Sequence, residues 1–138
     1  MNKYSPIEIL KRGIINGVLF AGLWGSWAYY VNLSDGADIA LKSAITQSSF
    51  TIINAFVYSV IMEYMYTLGK NIFTRFILAS VFPNILVTVI LVSLHQYRGT
   101  PEIFMTVSPP LAIVFILSLA YVFIVGPKQE KHDMERGL

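Results

Sequence analysis

Residues 13–33 read GIINGVLFAGLWGSWAYYVNL, a run without a single Asp, Glu, Lys or Arg. Crossing the hydrocarbon of a bilayer takes about 20 residues of helix, so this stretch has the length of one membrane span. Gly13, Gly17, Ala21 and Gly25 recur at every fourth position. On a helix they form one stripe without side-chain bulk, where a second backbone can approach closely. Trp24, Trp27, Tyr29 and Tyr30 follow at the far end, the place where an amphipathic ring sits among headgroups.

The rest of the chain repeats that pattern. Hydrophobic residues make up 55% of the 138 and charged residues 13%, about half the charged share of an ordinary soluble domain. The solvent this composition suits is lipid. The spacing predicts an all-α, polytopic integral membrane protein of four transmembrane helices, with spans at about 13–33, 46–67, 73–94 and 103–125, all within a single membrane domain. Residues 32–38, NLSDGAD, break the first helix, and Ser34, Asp35 or Asp38 is placed to cap the second. That second helix, if unbroken from Ala37 to Thr67, is roughly 45 Å long, more than the hydrocarbon core of about 30 Å. Its small residues Ala40, Ala44 and Ser48 offer the glycine stripe a partner.

The segment LGKNIFTR at 68–75 supplies a short turn, and HQYRGTPE at 95–102 a second loop. Pro83 interrupts the third span and predicts a kink there. Pro109 and Pro110 lie in the first turns of the fourth, or just ahead of it. Gly126 and Pro127 are expected to end it, leaving 128–138 as a mobile cytoplasmic tail.

Charge sets the expected orientation. One side of the four spans holds Lys3, Lys11, Arg12, Lys70, Arg75, Lys128, Lys131 and Arg136, and the other only Lys42 and Arg98. Positive charge is retained on the cytoplasmic side. Both termini are therefore expected in the cytoplasm, and the location to be a bacterial inner membrane. The basic start ahead of an apolar run also resembles a secretory signal, but the run is too long and no A-x-A site follows it.

Three groups of polar residues need an explanation. Glu63, in VIMEYMYTLGK, is a carboxylate near the end of the second span. It reads either as an ion pair with Arg12, Lys70 or Arg75, or as a proton or cation site. Gln47, Thr51, Asn54 and Tyr58 share one face of the second helix. They either line a polar cavity for transport or form interhelical hydrogen bonds with Asn16, Asn32 or Asn84, each worth about 1 kcal/mol. His95, Arg98 and Glu102 gather in the second outer loop, where Arg98 and Glu102 suit a surface ion pair. A lone histidine with one acid does not make a metal site.

Cysteine is absent, which removes disulfides, thiolate ligands and thiol nucleophiles. No phosphate loop, no haem histidine pair, no nucleophile with a base and no nucleic-acid signature occurs. The reading includes no enzyme activity, no cofactor, no metal and no nucleic acid. Its expected partners are the lipid bilayer and either further copies of the chain or a second membrane protein. Three classes of function are then available, in this order: a non-enzymatic subunit or scaffold of a membrane assembly; a small oligomeric transporter or channel using the polar face of the second helix; and a membrane-embedded enzyme acting on lipid through His95 and Arg98.

Overall fold

The computed structural model describes residues 6–135, with side chains described from residue 14 onward apart from 129, 132 and 133. Among the described residues the chain is helical and has no strand. The helices are α1 (Pro6–Val31), α2 (Ala37–Leu68), α3 (Ile72–Phe76), α4 (Phe82–Arg98), α5 (Ile103–Ala120) and α6 (Gly126–Glu135). Two π-helical segments, Ile77–Val81 and Tyr121–Val125, join α3 to α4 and α5 to α6 without a break. Three helices are long and apolar enough to cross a membrane: Ala37–Leu68, Ile72–Arg98 and Ile103–Lys128. At 26 residues α1 is about 39 Å long.

The helices run past the expected ends, and each extension has a local cause. Pro6 opens α1, a first-turn position where its missing N–H has no helical partner to lose. The third helix continues through His95 to Arg98 and stops at Gly99, whose φ of +72° suits glycine. The amides of Gly99 and Thr100 then turn back to the carbonyls of Gln96 and His95, satisfying the helix end. Gly36, at φ +116°, occupies the position ahead of α2, and its carbonyl accepts from Ala40. Asn71 caps α3, its side-chain oxygen accepting from the Thr74 amide at 2.9 Å.

Gly126 and Pro127 do not end the last helix. The chain widens into a π turn just before them and continues helically to Glu135. Pro83 is accommodated in the same way: each proline stands two residues after a π segment, and in each case the intervening amide reaches five residues back, Phe82 to Ile77 and Gly126 to Tyr121. A proline ring collides with the carbonyl four residues earlier, and the wider turn moves that carbonyl aside.

Contacts gather into two compact units: Met1–Val57 with Ile90–Ser108, and Tyr58–Val89 with Pro109–Leu138. In the first, α1 lies along the start of α2. Gly17 faces Ala55, with 3.8 Å from a built Cβ to the Ala55 Cβ. Gly25 is tighter, since a Cβ there would stand 2.0 Å from Ser48 Oγ and 3.3 Å from the Ala44 carbonyl. Ser48 is fixed in that place by donating to the Ala21 carbonyl at 2.8 Å. Ala21, Ala28 and Ala40 are buried beside them. The surroundings of Gly13 lie outside the described residues.

The second unit has a core of Tyr66, Ala79 and Val122. Tyr66 lies over Gly126, where a Cβ would come within 2.4 Å of its ring. Close packing of an aromatic ring explains that glycine better than a helix stop does. The Tyr121 ring meets Tyr66 edge-on at 5.5 Å, and the Arg75 guanidinium covers Tyr66 at 4.6 Å.

Candidate functional site

In the first unit the polar groups join end to end. His95, fully buried, places Nε2 2.9 Å from Gln47 Oε1 and Nδ1 2.8 Å from Thr100 Oγ1. Gln47 turns its amide nitrogen to Thr51 at a long 3.5 Å, and the Thr51 hydroxyl donates to the Gln47 carbonyl. The Gln47 oxygen is therefore left to accept from His95. Nε2 must carry the ring proton, and Nδ1 accepts from Thr100, which in turn accepts from Ser43 at 3.2 Å. The result is one directed chain, Ser43 to Thr100 to His95 to Gln47 to Thr51. It has no free lone pair or proton on the imidazole.

That placement corrects the reading of His95, Arg98 and Glu102 as a loop cluster. His95 lies in the last turn of a helix and faces inward. Arg98 gives its Nε proton to Thr46 at 3.3 Å rather than to Glu102. Glu102 has an exposed side chain, and its backbone amide donates to Asn32 Oδ1 at 3.1 Å. Asn32 is itself fully buried and saturated, donating to the Ala28 carbonyl and to Thr106 Oγ1. It fastens the end of α1 to the start of α5.

Trp27 plays a related part. Its indole Nε1 donates to the Met105 carbonyl at 2.9 Å. In an α-helix that carbonyl would accept from residue 109, which is Pro109 and has no N–H. The indole stands in for the missing amide.

In the second unit Asn84 is the centre. Its Nδ2 is 2.7 Å from the Ser80 carbonyl, 2.7 Å from the Tyr58 hydroxyl and 3.1 Å from Ser118 Oγ, while Ser80 and Ser118 share a hydroxyl contact at 2.6 Å. A carbonyl can only accept, so the nitrogen of Asn84 must face Ser80. Its Oδ1 is then buried without a partner. A shallow groove of about 290 Å³, lined by Val81, Asn84, Ile85, Thr88, Val89 and Phe115, runs beside it. That lining is almost wholly apolar.

Glu63 is exposed, and its expected partner Arg75 is engaged elsewhere. Arg75 grips Glu130 with two nitrogens, one at 2.7 Å, and also donates to the Gly69 carbonyl and the Tyr66 hydroxyl. Glu130 belongs to the segment expected as a loose tail. Lys70 is exposed, and Arg12 lies outside the described side chains. Among the described residues no group of three or more His, Cys, Asp or Glu could hold a metal ion.

Of the face Gln47, Thr51, Asn54 and Tyr58, two members reach other helices: Gln47 bonds His95, and Tyr58 bonds Asn84. Asn54 is half-buried, and Asn16 is exposed on α1. Ser43, Ser80, Thr100, Thr106 and Ser118, the hydroxyls that complete these networks, were not singled out by the sequence. Ser43 could have been, because it extends the Gln47–Thr51 row by one turn at the same spacing of four. No protein-family model, curated protein or solved structure matches this chain.

Proposed function

We propose that this chain is a small integral membrane protein of the bacterial inner membrane, with four crossing helices and both termini in the cytoplasm, serving as a non-enzymatic subunit or scaffold of a membrane assembly. The observation that carries the reading is the use made of polar side chains: His95, Gln47, Asn32 and Tyr58 all hold helices to one another. Side chains engaged in this way are not available to a passing substrate. α1 is counted as a span because it packs along α2 from Gly25 beside Ser48 to Gly17 beside Ala55, and α2 has the length and composition to cross. The surplus of Lys and Arg on one side supports the orientation. Lipid is the first partner, and further copies or a second membrane protein the next.

The alternative, a small transporter or channel, draws on one specific feature, the unpartnered Asn84 oxygen beside the π turn at Pro83. Broken helices with unsatisfied polar groups are where transporters build sites. Extraction from the native membrane in polymer discs, followed by particle mass and protein identification, separates the two. A second protein in fixed ratio is expected. A particle made only of this chain, with flux in vesicles that Asn84→Leu abolishes, would replace the subunit reading with the transporter. Reporter fusions at each terminus test the topology, and a periplasmic signal from either one would overturn it.

A further inference from the structure

Lys42 and Arg98 are the two cations on the expected outer side of the spans, and the fold brings them to one hydroxyl. Arg98, the last residue of α4, gives its Nε proton to Thr46 Oγ1 at 3.3 Å, and the same hydroxyl donates to the Lys42 carbonyl at 2.8 Å. Lys42 and Thr46 are one turn apart, so their side chains share a face of α2. The Thr46 bond holds the guanidinium by one nitrogen and leaves both terminal nitrogens without a partner among the described residues. Lys42 is exposed. Neither cation is in an ion pair there, since the one salt bridge among the described residues joins Arg75 to Glu130. Asp38 and Glu102 are exposed acids four residues from Lys42 and from Arg98, yet they pair with neither. Asp38 stands a turn farther from the span, and the Glu102 backbone is tied to Asn32.

We propose that Lys42 and Arg98 together bind the phosphate of an anionic phospholipid. The proposal rests on the reading that α2 and the helix ending at Arg98 cross the bilayer, for which both have the length and composition. Lys42 is five residues, about 7.5 Å, from the start of α2, and Arg98 closes its own helix. Their shared hydroxyl sets them at one depth, where two spans leave the hydrocarbon and lipid phosphates lie. The planar fork of a guanidinium fits two phosphate oxygens at once, and the ammonium adds a second positive charge on a flexible stem. Leu41 and Ile45, each 53% exposed, flank the pair on α2 and offer acyl chains an apolar surface for which a free phosphate has no use. Two cations without a counter-ion also select the headgroup. Choline carries an ammonium that neutralises its own phosphate, whereas a glycerol headgroup leaves the negative charge for the protein.

The test is thermal unfolding of the full chain in an uncharged detergent, titrated with phosphatidylglycerol, with phosphatidylcholine of the same acyl chains, and with inorganic phosphate. Phosphatidylglycerol should raise the melting temperature at concentrations about tenfold or more below those phosphatidylcholine needs, and inorganic phosphate in that range should not raise it. Lys42→Gln and Arg98→Gln should each shift the phosphatidylglycerol titration about fivefold, and the double variant about 25-fold. Lys70→Gln, which removes an exposed cation beyond the other end of α2, should leave it in place. The Lys42 side chain makes no bond to a described residue, so Lys42→Gln decides the matter even where loss of the Thr46 bond unfolds Arg98→Gln. Equal stabilisation by the two lipids, stabilisation by inorganic phosphate alone, or an equal loss in Lys70→Gln would overturn the proposal. The chain contains no cysteine, so a water-soluble maleimide on intact cells separates two kinds of failure. With Lys42→Cys labelled and Lys70→Cys protected, a contrary lipid result strikes the phosphate site alone, whereas labelling of both overturns the crossing and the site with it.

Discussion

Replacing Trp27 by Phe keeps a large apolar ring in place and removes one proton, the one the indole gives to the Met105 carbonyl at 2.9 Å. Since Pro109 cannot supply the helical amide, that carbonyl is left with no donor. The bond is exposed, which puts it below the roughly 1–3 kcal/mol that orphaning a buried acceptor costs and within the range of about 0.6–1.7 kcal/mol measured for interhelical bonds in membranes. A loss of about 1 kcal/mol is therefore expected for Trp27→Phe. The partner change is Pro109→Ala, which restores a backbone N–H four residues after Met105. In the presence of Trp27 it gives the carbonyl a second donor it does not need, but in the Trp27→Phe background it supplies the only one. The two changes should thus be coupled by about 1 kcal/mol, with the double variant more stable than the sum of the singles. Unfolding by graded denaturing detergent in bicelles, followed by far-ultraviolet circular dichroism, gives the four free energies. Additivity within about 0.3–0.5 kcal/mol would refute the idea that the indole replaces the proline's missing amide.

Other positions give sharper contrasts. Gly25→Ala should destabilise by about 1–3 kcal/mol, because its Cβ meets Ser48 Oγ at 2.0 Å, whereas Gly17→Ala, whose Cβ makes an ordinary contact with Ala55 at 3.8 Å, should change the same unfolding curve by less than about 0.5 kcal/mol. His95→Leu strips Gln47 and Thr100 of their partner and should cost about 2–4 kcal/mol by thermal melt, part of it recovered when Gln47→Leu removes the second orphan. Glu130→Ala breaks an ion pair whose acid is 46% exposed, so its effect should stay within about 1 kcal/mol and vanish in high salt. Pro83→Ala lets the π turn close to an α turn, which rotates the remainder of the helix by about 100° and should uncouple Asn84 from Tyr58, seen as loss of non-additivity between Asn84→Leu and Tyr58→Phe.

Periodicity carried the sequence reading a long way. The spacing of small residues in 13–33 and 37–48 has its counterpart in the close approach of α1 and α2, because glycine and alanine at fixed intervals leave few other uses for that face. Helix ends were less legible. Gly126 has the composition of a stop, yet its role depends on a tyrosine sixty residues earlier in the chain, and no local signal could reveal that. The polar run HQYRG has the composition of a loop, although a helix accepts every one of those residues until Gly99. Arg75 is one of three cations within reach of Glu63 by sequence, yet it pairs with Glu130, since a guanidinium near a helix end reaches whichever segment the fold brings to it. The type of Trp27 alone suggests an interface anchor. Its hydrogen bond exists because of a proline in another helix.

These cases share a physical logic. In hydrocarbon a polar group without a partner is penalised wherever it stands, so a span that contains many polar residues must bring them to one another or to something outside the chain. Most of them here meet one another: the row from Ser43 to Thr51 through His95, the Asn32 fastening, the serine pair below Asn84, the indole at Met105. Asn54, Glu63 and the buried oxygen of Asn84 do not. Glu63 is an exposed carboxylate about 7 Å before the end of α2, close enough to the membrane edge to meet water or a cation. Asn54 is half-buried near the middle of α2, and the Asn84 oxygen stands beside the turn that Pro83 imposes. The interior networks explain how the chain stays folded, so within the spans the search for what it binds belongs at these three, where a donor or a cation from outside the chain would complete what the fold leaves open.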